Sequence, residues 1–344
     1  MNTDRAVGTE RKGKWAWAVT LMVAGLILSA LLSLAVGEVH TPLSRLFEIL
    51  SSPGSMEHDV LLYIRVPRVL LGIAVGGGLS LSGAILQGIY RNPLVEPYTL
   101  GISGGASLGV SLAIVLGLTS LGLLTLPIAG FIGAFLTIFL VYFLSLKKGL
   151  LSVSRMLLIG VMVSFISSSL IMLLMSVSKV EDLHGIIFWM MGSLSEPDLR
   201  LVKGMTALSL TGLAVSLFFV SDLNALRLGE TKARHLGMDT GRVTRLLFVL
   251  TSILTGACIS VAGVIGFVGL VIPHAVRLWL GSDYRILLVG SFLLGSLFLT
   301  LCDIVARTII APIELPIGVI TGIIGGVAFI FILSGAKKRS AFFR

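Results

Sequence analysis

The chain has 344 residues, of which 56% are hydrophobic and only 12% charged. A soluble domain carries about 25% charge, so this composition excludes an ordinary soluble fold and points to a helical membrane protein. The formal charge of +9 would suit nucleic acid. However, the basic residues fall in short segments between apolar runs, where the positive-inside rule places them; no nucleic-acid partner is expected.

A membrane-spanning helix needs about 20 apolar residues. The first such run, residues 15–36, follows a basic start (Arg11, Lys12, Lys14). It resembles a signal peptide but is long enough to span, so it is read as an uncleaved first helix. Residues 37–60 are polar and expected outside. Helix 2, about 62–89, runs inward to a polar break, Arg91-Asn92-Pro93-Leu94-Val95-Glu96-Pro97. The Gly-rich helix 3 (98–116) and helix 4 (122–145) follow, ending inside at Lys147 and Lys148. Helix 5 is expected over 152–176, an outer segment with a short helix over 177–198, and helix 6 over 199–221. The long charged segment 222–242 lies inside. Helices 7 to 10 are expected at 244–264, 271–281, 284–305 and 315–334.

This topology places 19 of the 26 Lys and Arg on the inner side, which supports both termini in the cytoplasm. The expected fold class is therefore an all-α polytopic membrane protein with about ten transmembrane helices, forming a single transmembrane domain over 1–344.

A shift of 180 residues aligns the second helix with the seventh. Arg65 meets Arg245, Gly83 meets Gly263, Pro93 meets Pro273 and Gly101 meets Gly281. The two copies start on opposite sides, so an inverted repeat with halves 61–176 and 243–335 is expected, as in many transporters.

No Asp, Glu or Lys falls in the middle of an expected span. Arg155, Arg245 and Asp303 sit near helix ends, where snorkelling accommodates them. Ion-coupled carriers usually need buried ionisable residues, so a secondary transporter is the weaker alternative. Cys258 and Cys302 lie in apolar runs and read as packing residues. The five histidines have no ligand spacing, so no metal site is expected. No phosphate-binding Gly-x-x-x-x-Gly-Lys-Ser/Thr loop occurs; if ATP drives this protein, another chain hydrolyses it.

Three stretches invite a functional reading. The break at 91–97 is either an ordinary loop or a rigid gate held between two prolines. The glycines after it (Gly101, Gly104, Gly105, Gly109) either pack helices or line a path. Residues 226–239 read as short helices broken by Gly229 and Gly237, with Leu226, Leu228, Leu236 and Met238 on an apolar side. A solvated loop and an amphipathic pair that seats in a partner's groove both fit. Arg65, Arg68 and Arg307 fall at outer helix ends, either as snorkelling anchors or as a rim for an acidic external protein. An ion pair of Arg307 with Asp303, four residues earlier, is also possible.

The segments RVPR, GGGLSLSGAILQ, RNPLVEP, LGISGGASLG, GVIGFVGLVIPHAVRL and ELPIGVITGIIGGVAFIFIL resemble the permease subunits of ABC importers for iron-siderophore, haem and cobalamin, the FecCD type, over about residues 60–335. The resemblance implies a non-catalytic, type II importer permease of the cytoplasmic (inner) membrane that works as a homodimer by alternating access. Two ATP-binding subunits would lie below, binding ATP and Mg, and one substrate-binding protein above. By resemblance, Asn92, Leu94 and Ser154 match the cytoplasmic gate. At Val153 the chain departs from the Thr-Ser pair of cobalamin-type members. Leu228, Gly229, Glu230, Ala233, Leu236 and Gly237 fall in the segment that couples to the ATPase. Arg65, Arg68 and Arg307 match arginines that meet the binding protein.

Overall fold

A computed structural model describes residues 2–36, 48–49, 51–52, 54–147, 150–151, 153–195 and 198–336. The expected outer residues 37–47 and the basic end Lys337, Lys338 and Arg339 lie outside them, as does Lys148. In chain order the helices are α1 (Asn2–Ala35), α2 (Met56–Val60), α3 (Val66–Tyr90), α4 (Ile102–Val115), α5 (Thr125–Ser145), α6 (Val153–Val177), α7 (Val180–Met191), α8 (Leu199–Phe218), α9 (Val220–Arg227), α10 (Glu230–His235), α11 (Thr240–Ala262), α12 (Val268–Leu280), α13 (Tyr284–Thr308) and α14 (Ile317–Ala336). A two-residue hairpin, Leu146–Lys147 with Leu150–Leu151, joins α5 to α6. Among the described residues, eight helices are long and apolar enough to cross a membrane, and α4 and α12 are shorter apolar helices.

The axis of the molecule is the continuous run from α2 through a π-turn at Leu61–Arg65 into α3. Its α3 part is almost wholly buried, whereas α2 has no buried residue and Tyr63 and Ile64 of the π-turn are exposed; α1, α5, α6, α8 and α14 expose broad apolar faces. A helix that is apolar all round belongs in the interior. Small residues let four neighbours close on it. A Cβ on Gly83 would come within 1.8 Å of the Gly269 carbonyl oxygen on α12, and one on Gly76 within 2.4 Å of the Gly295 carbonyl oxygen on α13. Hydroxyls then tie backbones together: Ser209 of α8 donates to the Ala74 carbonyl at 2.6 Å, and Ser296 of α13 to the Ile73 carbonyl at 2.8 Å.

Helix α12 starts at Val268, three residues before the expected 271, and keeps Pro273 in its interior. Proline there removes the hydrogen bond to the carbonyl four residues earlier, which is that of Gly269. Gln87 of α3 supplies the missing donor. Its Nε2 lies 3.4 Å from the Gly269 oxygen and 3.3 Å from the Leu270 oxygen, and its Oε1 accepts from Arg277 Nη2 at 3.0 Å.

The glycines after the polar break serve packing. Gly105 and Gly109 bring α4 against α5, where added Cβ atoms would meet Thr137 Oγ1 at 1.9 Å and the Ala129 oxygen at 2.4 Å.

Candidate gate, coupling segment and arginine cluster

The break between α3 and α4 is built by local chemistry. Arg91 ends α3 in the left-handed region (φ 49°). Asn92 Oδ1 accepts from the Leu94 amide at 2.9 Å, an Asx turn. This turn leaves Leu94 half exposed while Val95 is buried. Pro97 opens a 3-10 turn that ends at Gly101 (φ 80°). Tyr98 then clips the loop to the break between α11 and α12: its hydroxyl donates to the Ile265 carbonyl at 2.5 Å and accepts from the Ile265 amide at 2.8 Å. Glu96, in the loop, receives a hydrogen bond from the Phe267 backbone; burial pushes its carboxyl up to about 7, against the lowering effect of that bond. Its Oε2 is buried without a partner. Ser154 is exposed in the first turn of α6.

The charged segment folds as expected into short helices, α9 and α10, separated by Gly229 (φ 106°) and closed by Gly237 (φ 87°). Its apolar residues divide. Leu223, Leu226 and Ala233 are buried in the chain itself, so Leu226 does not belong to an outward apolar side. Leu228 and Leu236 point out, 58% and 67% exposed. Glu230 is paired with Arg234 at 2.6 Å, and Arg234 Nε donates to Thr240 Oγ1 at 3.0 Å. The Arg91 side chain lies beside this segment: its Nη1 is 3.6 Å from the position a Cβ would take on Gly229.

Arg65, Arg68 and Arg307 come together, but not as an open rim. All three are below 10% exposed. Asp303 is the common partner of Arg68 and Arg307, 2.9 Å from Arg68 Nη2 and 3.1 Å from Arg307 Nε. Arg68 Nη1 also binds both Glu314 oxygens, at 2.9 and 3.0 Å. Arg65 Nη1 donates to the Leu34 carbonyl at 2.5 Å, and Arg307 Nη2 to Ser33 Oγ at 2.6 Å, fastening the end of α1. The reading of Asp303 as a snorkelling residue is therefore corrected: it is buried and fully engaged. A carboxylate in that position needs paired cations to offset its desolvation, and Arg68 and Arg307 supply them. Arg155 and Arg245, by contrast, are exposed.

Two clefts open beside the cluster and share Trp189, Ser193, Leu194 and Ser195. One, about 330 Å³, includes Arg68 and Glu314; the other, about 820 Å³, is bounded by Tyr63, Asp198 and Ser260. The sequence singles out the break holding Arg91 and Glu96 but not the part either residue takes in it, and it does not mark Tyr98 or Glu314. Each of the four acquires its place from a residue distant in the chain.

The comparisons with known proteins agree with this architecture. Residues 25–335 match the FecCD transport family. The chain is 37% identical over 325 residues to the hemin transport system permease protein HmuU of Yersinia pestis, covering 92% of this chain and 97% of that one. It is 38% identical over 329 residues to the vitamin B12 import system permease protein BtuC of Klebsiella pneumoniae, covering 96% of each. A solved structure described as an inward-facing conformation of a metal-chelate type ABC transporter superposes with a TM-score of 0.83 at 31% identity, over 92% of this chain and 98% of that one. The chain belongs to the FecCD transport family and is a multi-pass, non-catalytic permease subunit of an ABC importer, whose ATPase is a separate chain.

Proposed function

We propose that this permease works as a homodimer in the cytoplasmic (inner) membrane, with both termini cytoplasmic, and imports a metal chelate such as iron-siderophore or haem, or cobalamin. Two ATP-binding subunits would carry ATP and Mg below it, and one substrate-binding protein would dock above. The named ligands of its relatives, hemin and vitamin B12, support the substrate class. A stand-alone secondary transporter finds no support among these relatives.

The observation that carries the mechanism is the closeness of the Arg91 side chain to Gly229. It joins the gate loop to the segment that would seat in the ATPase. The exposed Leu228 and Leu236 are the anchors of that seat, with Glu230 and Ala233 setting the shape of α10 and Gly229 and Gly237 its hinges. When ATP closes the partner subunits, α10 moves, Arg91 follows, and Asn92, Leu94 and Ser154 change their spacing at the inner mouth. Such a mechanism biases a conformational equilibrium and needs no covalent chemistry in this chain. The similar residues at 65–101 and 245–281, each a long helix followed by a break and a short one, support an inverted repeat as the basis of alternating access.

At the other end, Arg65, Arg68 and Arg307 are the proposed docking residues. Because Arg68 already holds Glu314, an acidic residue of the binding protein would act by exchanging with Glu314, whose side chain is 38% exposed. Binding-protein affinity to the reconstituted complex tests this. Glu314→Gln frees one arginine valence and should tighten association, more so at low salt. Unchanged affinity in that variant at low salt would remove the cluster from the docking surface.

A further inference from the structure

An open cleft of about 520 Å³ lies between the start of α1 and the turn joining α12 to α13. Arg11, Lys14 and Trp15 of α1 form one wall, Arg227 at the end of α9 another, and Leu280–Asp283 the floor. Its depth is set by the apolar runs around it. The membrane-length stretches of α1 and α13 begin at Arg11 and Tyr284, and the apolar helix α12 ends at Leu280. The cleft therefore sits where hydrocarbon meets water.

Its charge is one-sided: three cations face one carboxylate. That carboxylate is already in use. Asp283 Oδ2 holds Arg11 Nη2 at 2.8 Å, and its Oδ1 accepts from the Arg285 amide at 3.0 Å and from Asn224 Nδ2 at 3.2 Å. Lys14 and Arg227 have no carboxylate partner among the described residues. The frame is stiff. The Arg11 guanidinium stacks 4.5 Å over the Trp15 ring, and the indole N–H donates to the Leu280 carbonyl at 3.2 Å. Below the cleft, α1 exposes Leu21, Ile27 and Leu28. Cations without a carboxylate partner among the described residues, set above an apolar face at the membrane boundary, match the two parts of an anionic lipid. Tryptophan at the same level is the usual interfacial anchor.

We propose that this cleft binds the phosphate of an anionic phospholipid, with Lys14 and Arg227 as its cationic contacts and the acyl chains lying along α1. Free inorganic phosphate shares the headgroup chemistry but has no use for the apolar face. Arg227 is the last residue of α9, two residues before Gly229. A bound headgroup would thus tie the first helix to the segment leading into α10, whichever substrate the importer carries.

Native mass spectrometry of the purified full chain, titrated with phosphatidylglycerol, phosphatidylcholine or inorganic phosphate, reads this directly. Each cation near a membrane surface contributes about a fivefold preference for anionic lipid. With two such cations the phosphatidylglycerol adduct should survive about 25-fold better than the phosphatidylcholine adduct, and millimolar phosphate should not displace it. The double variant Lys14→Glu, Arg227→Glu should lose that preference, while reversal of the exposed Lys179 and Lys203 should keep it. Should the reversed protein fail to fold, Lys14→Gln with Arg227→Gln carries the same expectation. Equal retention of the two lipids, or a preference untouched by the neutral variant, would overturn the site. Displacement by phosphate alone would overturn the lipid assignment in favour of a free anion.

Discussion

Glu96 is a carboxyl placed where its charged form is disfavoured. One oxygen is buried without a partner, and burial carries the group up to about 7. A carboxyl raised in the folded state stabilises it most when protonated. That contribution is complete below the ordinary glutamate value of about 4.5 and is lost as pH rises through about 7. The full span is worth at most about 3 kcal/mol. Thermal melts of the wild type should fall between pH 5 and 8, whereas Glu96→Gln should stay flat. Parallel pH profiles for the two proteins would contradict this placement. Asp303 is a buried carboxyl of another kind, paired with two arginines. Asp303→Asn leaves Arg68 and Arg307 buried with Glu314 as the remaining acid, and should cost about 3 kcal/mol, read as a lower melting temperature. Little of this was legible in the sequence. The i, i+4 spacing of Asp303 and Arg307 pointed to their pair, but Arg68 is 235 residues away. The three arginines do lie near one another, but their burial depends on how α1, α3 and α13 meet, which no local pattern encodes.

At the scale of elements, sequence periods served well for long helices and poorly for their ends. The apolar runs anticipated the eight long helices because membrane thickness dictates their length. Helix α12 begins three residues before the expected 271 and keeps Pro273 inside, where the compensating donor, Gln87, comes from another helix. Glycine counts hinted at close packing without saying which pairs meet. Gly83 against Gly269 is the tightest such crossing at α3. Gly83→Ala would force α3 and α12 apart at a cost of about 3 kcal/mol, seen as loss of the folded species in detergent gel filtration; a wild-type elution profile and melt would refute that crossing. The segment containing α9 and α10 was legible as short helices broken by glycines, but its apolar side was not one surface. Leu226 faces inward, leaving Leu228 and Leu236 for a partner. Changing both to Asp should leave the melting temperature of the isolated chain nearly unchanged, since exposed substitutions rarely exceed about 0.5 kcal/mol. The same change should abolish co-purification with the ATPase subunit. Retained co-purification would assign the seat to another surface.

Across the whole molecule, the run of α2 and the buried helix α3 connects the two proposed functional ends. Its first turns hold Arg65 and Arg68 in the ion cluster, and its last residue leads into the Arg91–Pro97 loop beside Gly229. A stiff central helix with different contacts at each end suits a subunit that passes a conformational change between an external and an internal partner. The central claim is that ATP consumed by another chain drives ligand through this one. Uptake of a radiolabelled metal chelate or cobalamin into proteoliposomes holding the complete complex, with ATP supplied to the ATPase side, tests it most directly. The account predicts uptake that stops when the ATPase subunit is inactivated by replacing its catalytic glutamate, and that falls sharply when Arg91→Ala removes the side chain that lies between gate loop and coupling segment. Uptake that persists without a working ATPase, driven instead by an ion gradient, would contradict it.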